Sequence, residues 1–224
     1  SAQAALSWSI NELTGADATA LEALGRPDVD KEWTVFLASL EYSFYLDALN
    51  ATPGEPSALV HEVATRFSGQ FAFDGRLIPN YEAIGGGLYS ARGYDESVVA
   101  GDDAFFGTVE YRFHLPRALP SSDESASVFG QPFRVVRDGA GAPPDWDLML
   151  KAFLDFGRVT VNERQVFEKN ETLLSTGLGA ELVIANNVSF RTDWGIVLDE
   201  VGSNSPDPIE VGDQRWHFVL TVLY

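Results

Sequence analysis

Arg92 stands inside the run Gly85-Gly86-Gly87-Leu88-Tyr89-Ser90-Ala91-Arg92-Gly93-Tyr94. The glycines give a backbone that can fold back into a confined space. A lone arginine in such a run needs an acidic partner wherever it is buried, because a guanidinium does not shed its proton. Two acids offer themselves: Asp155, in Phe153-Leu154-Asp155-Phe156-Gly157, and Glu110, in Gly107-Thr108-Val109-Glu110. The chemistry of that trio is non-covalent, a charge pin that holds a loop in place. The plainer alternative is a solvated arginine in a surface loop.

Other chemistry finds less support. The glycine run is not a phosphate loop, since it contains no Lys and no helix start follows. No Gly-x-Ser-x-Gly occurs. His61, His114 and His217 fall on separate segments without ligand spacing, so neither a metal nor a cofactor is expected. Cysteine is absent, which excludes a disulfide framework and a thiolate site. Asp102-Asp103 and Asp123-Glu124 read as solvated acids. The chain is not expected to be an enzyme. A hydrolase drawing Ser, His and Asp from its loops is the catalytic rival, and a soluble β-sandwich binding module is the third class.

The elements that must position Arg92 and its acids show period two. Trp216, Phe218, Leu220, Val222 and Tyr224 alternate with residues that include His217 and Thr221. Phe190, Thr192, Trp194, Ile196 and Leu198 oppose Arg191, Asp193, Gly195 and Asp199. Leu174, Thr176, Leu178, Ala180, Leu182 and Ile184 oppose Ser175, Gly177, Gly179 and Glu181. Leu148, Leu150, Ala152, Leu154 and Phe156 oppose Lys151, Asp155 and Gly157. Phe105, Val109, Tyr111, Phe113 and Leu115 oppose Thr108, Glu110, Arg112 and His114. Val63, Phe67, Phe71 and Phe73 oppose Glu62, Arg66, Gln70 and Asp74. Phe36, Leu40, Tyr42, Phe44 and Leu46 oppose Glu41, Ser43 and Asp47; Leu6, Trp8 and Ile10 oppose Gln3, Ser7 and Ser9. Parity therefore puts Glu110 and Asp155 on the polar side of their strands.

These eight segments mostly run about 9–13 residues, longer than the ~5–6 of globular strands and close to the ~9–11 of a tilted membrane strand. The predicted fold is all-β, an antiparallel transmembrane β-barrel with apolar residues outward and polar ones toward a wet lumen. The connectors alternate in kind. Residues 185–188 form a tight turn and 48–59 a Pro/Gly-rich one, whereas about 12–32, 75–103, 158–171 and 200–213 are long. Residues 116–145 are long although they fall on the short-turn side, and Ala18 to Leu24 could hold one short helical turn.

Charge narrows the partners. Lys and Arg total 15 against 33 Asp and Glu, a net charge of −18. That excludes nucleic acid and disfavours a peripheral anchor on anionic lipid. No apolar stretch is long enough for a transmembrane helix. The chain opens Ser1-Ala2-Gln3 without a basic leader, so for an exported protein the start is expected to be missing.

The loop Ala91-Arg92-Gly93-Tyr94, the strand carrying Glu110 and the strand motif Phe153-x-Asp155-x-Gly157 together resemble the BamA-type outer-membrane assembly and secretion superfamily. Gln70, Leu77-Ile78-Pro79, Glu82, the pair Gly85-Gly86, and Asp102 after Gly101 are similar to its two-partner secretion transporters, the haemolysin-activator type. The similarity spans about residues 60–224. It implies a sixteen-stranded barrel preceded by periplasmic POTRA modules, with the arginine loop as the sixth extracellular one. The eight strands here would be strands nine to sixteen. Residues 1–224 would be the C-terminal part of the barrel domain, with the POTRA modules and first strands absent.

The resemblance further implies a place in the bacterial outer membrane, where the barrel would pass an unfolded exoprotein outward without ATP. The related alternative is an insertase that assembles other outer-membrane proteins. Implied partners are outer-membrane lipid, a secreted or inserted client protein, the remaining half of the barrel, and the barrel assembly machinery. The last would read Trp216, Phe218, Leu220, Val222 and Tyr224 as a C-terminal signal. Arg92 would be pinned to Asp155, with Glu110 near, and eight strands would not close alone, since an eight-stranded lumen is already filled by side chains.

Overall fold

The computed structural model describes residues 1–9, 17–49, 59–120, 126–128, 131–136, 144–185, 187–202 and 207–223. The expectations for Ile10, Asp123-Glu124 and Tyr224 fall outside this set. Along the chain lie β1 (Ala2–Trp8), α1 (Ala18–Glu22), β2 (Thr34–Tyr45), α2 (Leu46–Leu49), β3 (His61–Phe71), β4 (Ala83–Gly85) and β5 (Val99–Gly101). Then follow β6 (Asp103–His114), α3 (Leu115–Ala118), β7 (Ala126–Val128), β8 (Gln131–Phe133), β9 (Trp146–Thr160), β10 (Glu171–Ile184), β11 (Val188–Val197) and β12 (Gln214–Val222).

Eight of these strands make one sheet in the order β1-β2-β3-β6-β9-β10-β11-β12, every neighbouring pair antiparallel. All eight overlap the period-two segments, but Leu46 and Asp47 lie in α2, Leu115 lies in α3, and Leu198 and Asp199 lie beyond the end of β11. Among the described residues β1 and β12 are its two edges and do not pair with each other. The protein is therefore all-β, and among the described residues no helix is long and apolar enough to cross a membrane.

Alternation decides which residues share a face. One cross-strand row runs Glu41, Arg66, Thr108, Asp155, Ser175 and Val197. The next row on that face runs Ala64, Glu110, Phe153, Gly177, Gly195 and Arg215. Glu110 and Asp155 thus lie on adjacent strands, one row apart.

The opposite face is apolar and uncovered by any described residue. Trp8, Phe36, Leu40, Phe105, Leu154, Leu178, Phe190, Trp216, Phe218, Leu220 and Val222 are all exposed there. Rings stack across strands, as in Phe67–Phe105, Phe190–Phe218 and Trp194–Trp216. A soluble monomer rarely leaves so large a contiguous apolar surface in water. The buried residues lie instead on the polar face and toward the long connectors. One cluster joins Ala91, Tyr94, Val99, Ala104, Val159, Leu173, Val197 and Val201, and another joins Trp33, Val35, Ala72 and Leu77.

The structure corrects several local readings. β3 stops at Phe71; Phe73 and Asp74 take left-handed φ of 51° and 65° and begin a turn, so neither extends the strand. Thr221 is exposed although it shares a face with buried His217, because it lies near the uncovered end of β12. The short helical turn expected within Ala18 to Leu24 is present over residues 18–22, capped by the Asp17 side chain, which accepts from Ala20 N–H at 2.8 Å. The long 116–145 connector carries part of α3 and the separate hairpin β7-β8, which no periodicity announced.

Candidate functional site

β4 and β5 pair as a short hairpin, and the chain between them lies against the polar face of the large sheet. Two glycines set this path. Gly86 has φ of 106°, a conformation that side chains disfavour. Gly93 has φ of 97° and sits directly on Gly195 of β11: a Cβ built on Gly195 would lie 2.5 Å from Gly93 N and 2.7 Å from the Arg92 carbonyl carbon. The approach exists because both partners lack side chains.

That seating delivers Arg92, 2 % exposed, to its acids. Nε donates to Asp155 Oδ2 at 2.7 Å and Nη2 to Asp155 Oδ1 at 2.7 Å, a bidentate fork. The Arg92 backbone N–H adds a third bond to Asp155 at 3.0 Å. Nη1 donates to Glu110 Oε1 at 2.5 Å. The guanidinium lies 3.4 Å above the centre of the Phe153 ring, a cation–π contact. The structure thus brings Arg92, Phe153, Asp155 and Glu110 together. Ala91 and Tyr94 are fully buried, and the Tyr94 hydroxyl donates to the Asp199 carbonyl at 2.6 Å and accepts from Leu174 N–H at 3.0 Å.

Gly85 and Gly157 stand apart from the charges: a Cβ on either would strike the Phe106 ring, so both make room for it. The residues named at the end of the chain, Trp216, Phe218, Leu220 and Val222, point to the apolar face and do not meet Arg92. Between them His217 turns the other way, and its Nε2 accepts from Gly93 N–H at 3.3 Å.

Asp193 is a residue that sequence reasoning put on the correct face without selecting it. It is fully buried and lies 3.5 Å from Arg92 Nη1, 3.1 Å from Lys151 Nζ and 2.5 Å from Arg191 Nε. The signal for it was Arg191-x-Asp193, opposite charges two apart on the same face as Asp155.

A second buried network was not anticipated. Asp102, read as solvated, is 0 % exposed. It accepts from Arg26 Nη1 and Nη2 at 2.6 and 2.7 Å, from Leu77 N–H at 2.7 Å and from Asn162 N–H at 2.8 Å. Beside it Arg76, also 0 % exposed, forks onto Glu168 at 2.8 and 2.9 Å. Three long connectors, 9–33, 72–102 and 161–170, are joined this way. Gln70 supports the join, donating to Tyr81 O at 2.9 Å and Asp102 O at 3.0 Å.

Electrostatics gives this network a pH signature. Burial pushes the Glu168 carboxyl up, but hydrogen bonds from Arg76 and the Gln165 N–H, with the Arg76 and Arg26 charges, overcome it and hold it at about 2. A depressed carboxyl stabilises above its unfolded value of 4.5 and ceases to do so as pH falls toward 2. Hydrogen exchange at the Leu77 amide, corrected for intrinsic rate, should therefore accelerate between those limits. Glu168→Gln should exchange faster already at neutral pH and lose most of that dependence; an unchanged acid profile in the variant would refute the assignment.

His114 lies between Asp147 (2.6 Å) and Glu62 (3.2 Å), and His61 meets the Tyr111 hydroxyl at 2.5 Å. Among the described residues no cluster of three or more His, Cys, Asp or Glu is placed to hold a metal ion. What the Arg92 cluster can do is hold: a permanent cation fixed by carboxylates keeps a glycine loop on the sheet. Comparison of the chain with family models, curated proteins and solved structures returned no match.

Proposed function

We propose that this chain is the C-terminal part of an outer-membrane β-barrel, strands nine to sixteen of sixteen, that secretes a partner exoprotein without ATP. The observation that carries the reading is the glycine loop pinned by Arg92 to Asp155 and Glu110 on the polar face of a long-stranded antiparallel sheet. Under it, the apolar face with its exposed Trp and Phe residues meets lipid, and the loop lies in the lumen. The remaining strands complete the wall between β1 and β12, and the POTRA modules lie in the periplasm. The long connectors other than 116–145 face outward, and the short turns together with the 116–145 connector face the periplasm. The barrel assembly machinery reads the apolar residues of β12. Under this reading the protein performs no covalent chemistry and uses no ATP.

The test is deletion of the gene, followed by comparison of culture supernatant and outer membrane. Loss of one or a few exoproteins from the supernatant, with other barrel proteins unchanged in the membrane, is the expected result. Depletion of other barrel proteins from the membrane would identify an insertase instead. A protein recovered in the soluble fraction would overturn both readings.

A further inference from the structure

A groove of about 390 Å³ runs between the tip of the glycine loop and the polar face of the sheet; Tyr89, Ser43, Thr108, Arg92, Arg112 and Arg191 line it. Charges around it are sorted by depth. The Glu62, Glu110 and Asp193 side chains are 9 %, 6 % and 0 % exposed. The guanidiniums that meet them are more exposed, Arg112 at 31 % and Arg191 at 22 %. Arg112 Nη2 lies 2.7 Å from Glu110, and Arg191 Nε lies 2.5 Å from Asp193. These three carboxylates sit beneath and the two arginines above; Glu181, 28 % exposed and opposite Arg191 across β10 and β11, is an acid at the same level as the arginines. Glu41 and Arg66, both half exposed, add no bias. A chain of net charge −18 thus presents cationic donors at this groove.

We infer that the groove binds carboxylate-bearing, extended polypeptide, contacting the acidic stretches of a client as it passes. As a client contact this rests on the transporter reading; as a binding preference it does not. Each guanidinium has five N–H donors in a planar fork, and its buried carboxylate engages only part of them. The rest suit carboxylates and the carbonyls of an extended backbone. Tyr89, 71 % exposed, adds a ring at the same edge. Partial exposure keeps each contact weak, as a passage needs, since a moving segment must also leave. Acidic residues in the long connectors oppose the attraction, but at physiological salt screening acts over about 8 Å, so the groove is read locally.

The experiment uses the full-length protein in detergent with fluorescein-labelled oligoglutamate or oligolysine as probes, read by anisotropy. Oligoglutamate should bind more tightly than oligolysine. The double variant Arg112→Gln/Arg191→Gln should weaken oligoglutamate about three- to tenfold, the loss of two partly exposed charge contacts. The fold should survive it, because Glu110 keeps Arg92 and Asp193 keeps Lys151. Protection of Tyr94 from chymotrypsin is the control, and Arg→Lys at both positions should restore part of the binding. Equal binding of the two probes, or a double variant that binds oligoglutamate unchanged with Tyr94 protected, overturns the inference. The failures are separable. Oligoglutamate binding by a protein whose deletion leaves secretion intact would sink the transporter reading alone; charge-blind binding by a working transporter would sink this inference alone.

Discussion

In an Arg92→Ala protein the glycine loop should come off the sheet while the eight strands stay paired. Two of the carboxylates near the cluster keep cations without Arg92: Glu110 retains Arg112, and Asp193 retains Lys151 and Arg191. Asp155, 1 % exposed, does not, since its bonds come from Arg92 Nε, Nη2 and backbone N–H. Removing one partner of a desolvated pair typically costs about 3–5 kcal/mol, because the other charge is stranded. That is a shift of roughly a hundredfold or more in the closed-to-open ratio of the loop. The strands are spared because backbone ladders, not the loop, hold them together.

Tyr94 reports the change. It is 0 % exposed when the loop is seated, so chymotrypsin should cut there in the variant and not in the parent. Under the proposed transport function, secretion should fall with it. Arg92→Lys should be intermediate, since Lys restores charge without the two-toothed fork. A variant that keeps Tyr94 protected and secretes normally would remove the pin from the account.

The large sheet was legible because each long strand repeats the same two-residue rule several times, so chance alternation is averaged out. The Arg92 site was legible only in part from the residues. Parity assigned Glu110 and Asp155 a face, and the resemblance of the loop and strand motifs, not the residues alone, favoured their meeting Arg92 over a solvated arginine. Parity alone could not rank Asp193, because Arg191 two residues away offered it a sufficient local partner. Where alternation ends, legibility ends. Phe73 and Asp74 continue the pattern of β3 by residue type, yet their backbones turn through positive φ. Asp102-Asp103 looked like a solvated pair because its partners are remote: Arg26 lies 76 residues earlier and Asn162 60 residues later. Contacts between loops follow from packing of the whole end of the sheet, which no local window contains.

Asp102→Ala should open that end and leave Arg92 seated. The substitution removes the acceptor of four hydrogen bonds at once. The Leu77 and Asn162 amides lose their partners. Arg26 is left with Glu82 at 3.2 Å and Glu168 at 3.4 Å, neither a fork. Burial already pushes the Glu82 carboxyl up despite the pull of Arg26, so it is a poor replacement anion. The expected cost is about 3 kcal/mol, at the lower end for a broken buried pair because Arg26 keeps two weaker carboxylate contacts. Asp102→Asn keeps one acceptor oxygen without the charge and should cost less. The location of the damage differs from that of Arg92→Ala. Arg76 is fully buried by Glu168, Asn162 and Pro27, so trypsin should cut after Arg76 only when the three connectors separate. Tyr94 is tied instead to Leu174 and Asp199 on β10 and beyond β11. Asp102→Ala should therefore expose Arg76 with Tyr94 protected, and Arg92→Ala should do the reverse. If either substitution opened both sites to the same extent, the pin and the connector clamp would be one cooperative unit, and their separation into two anchors would be wrong.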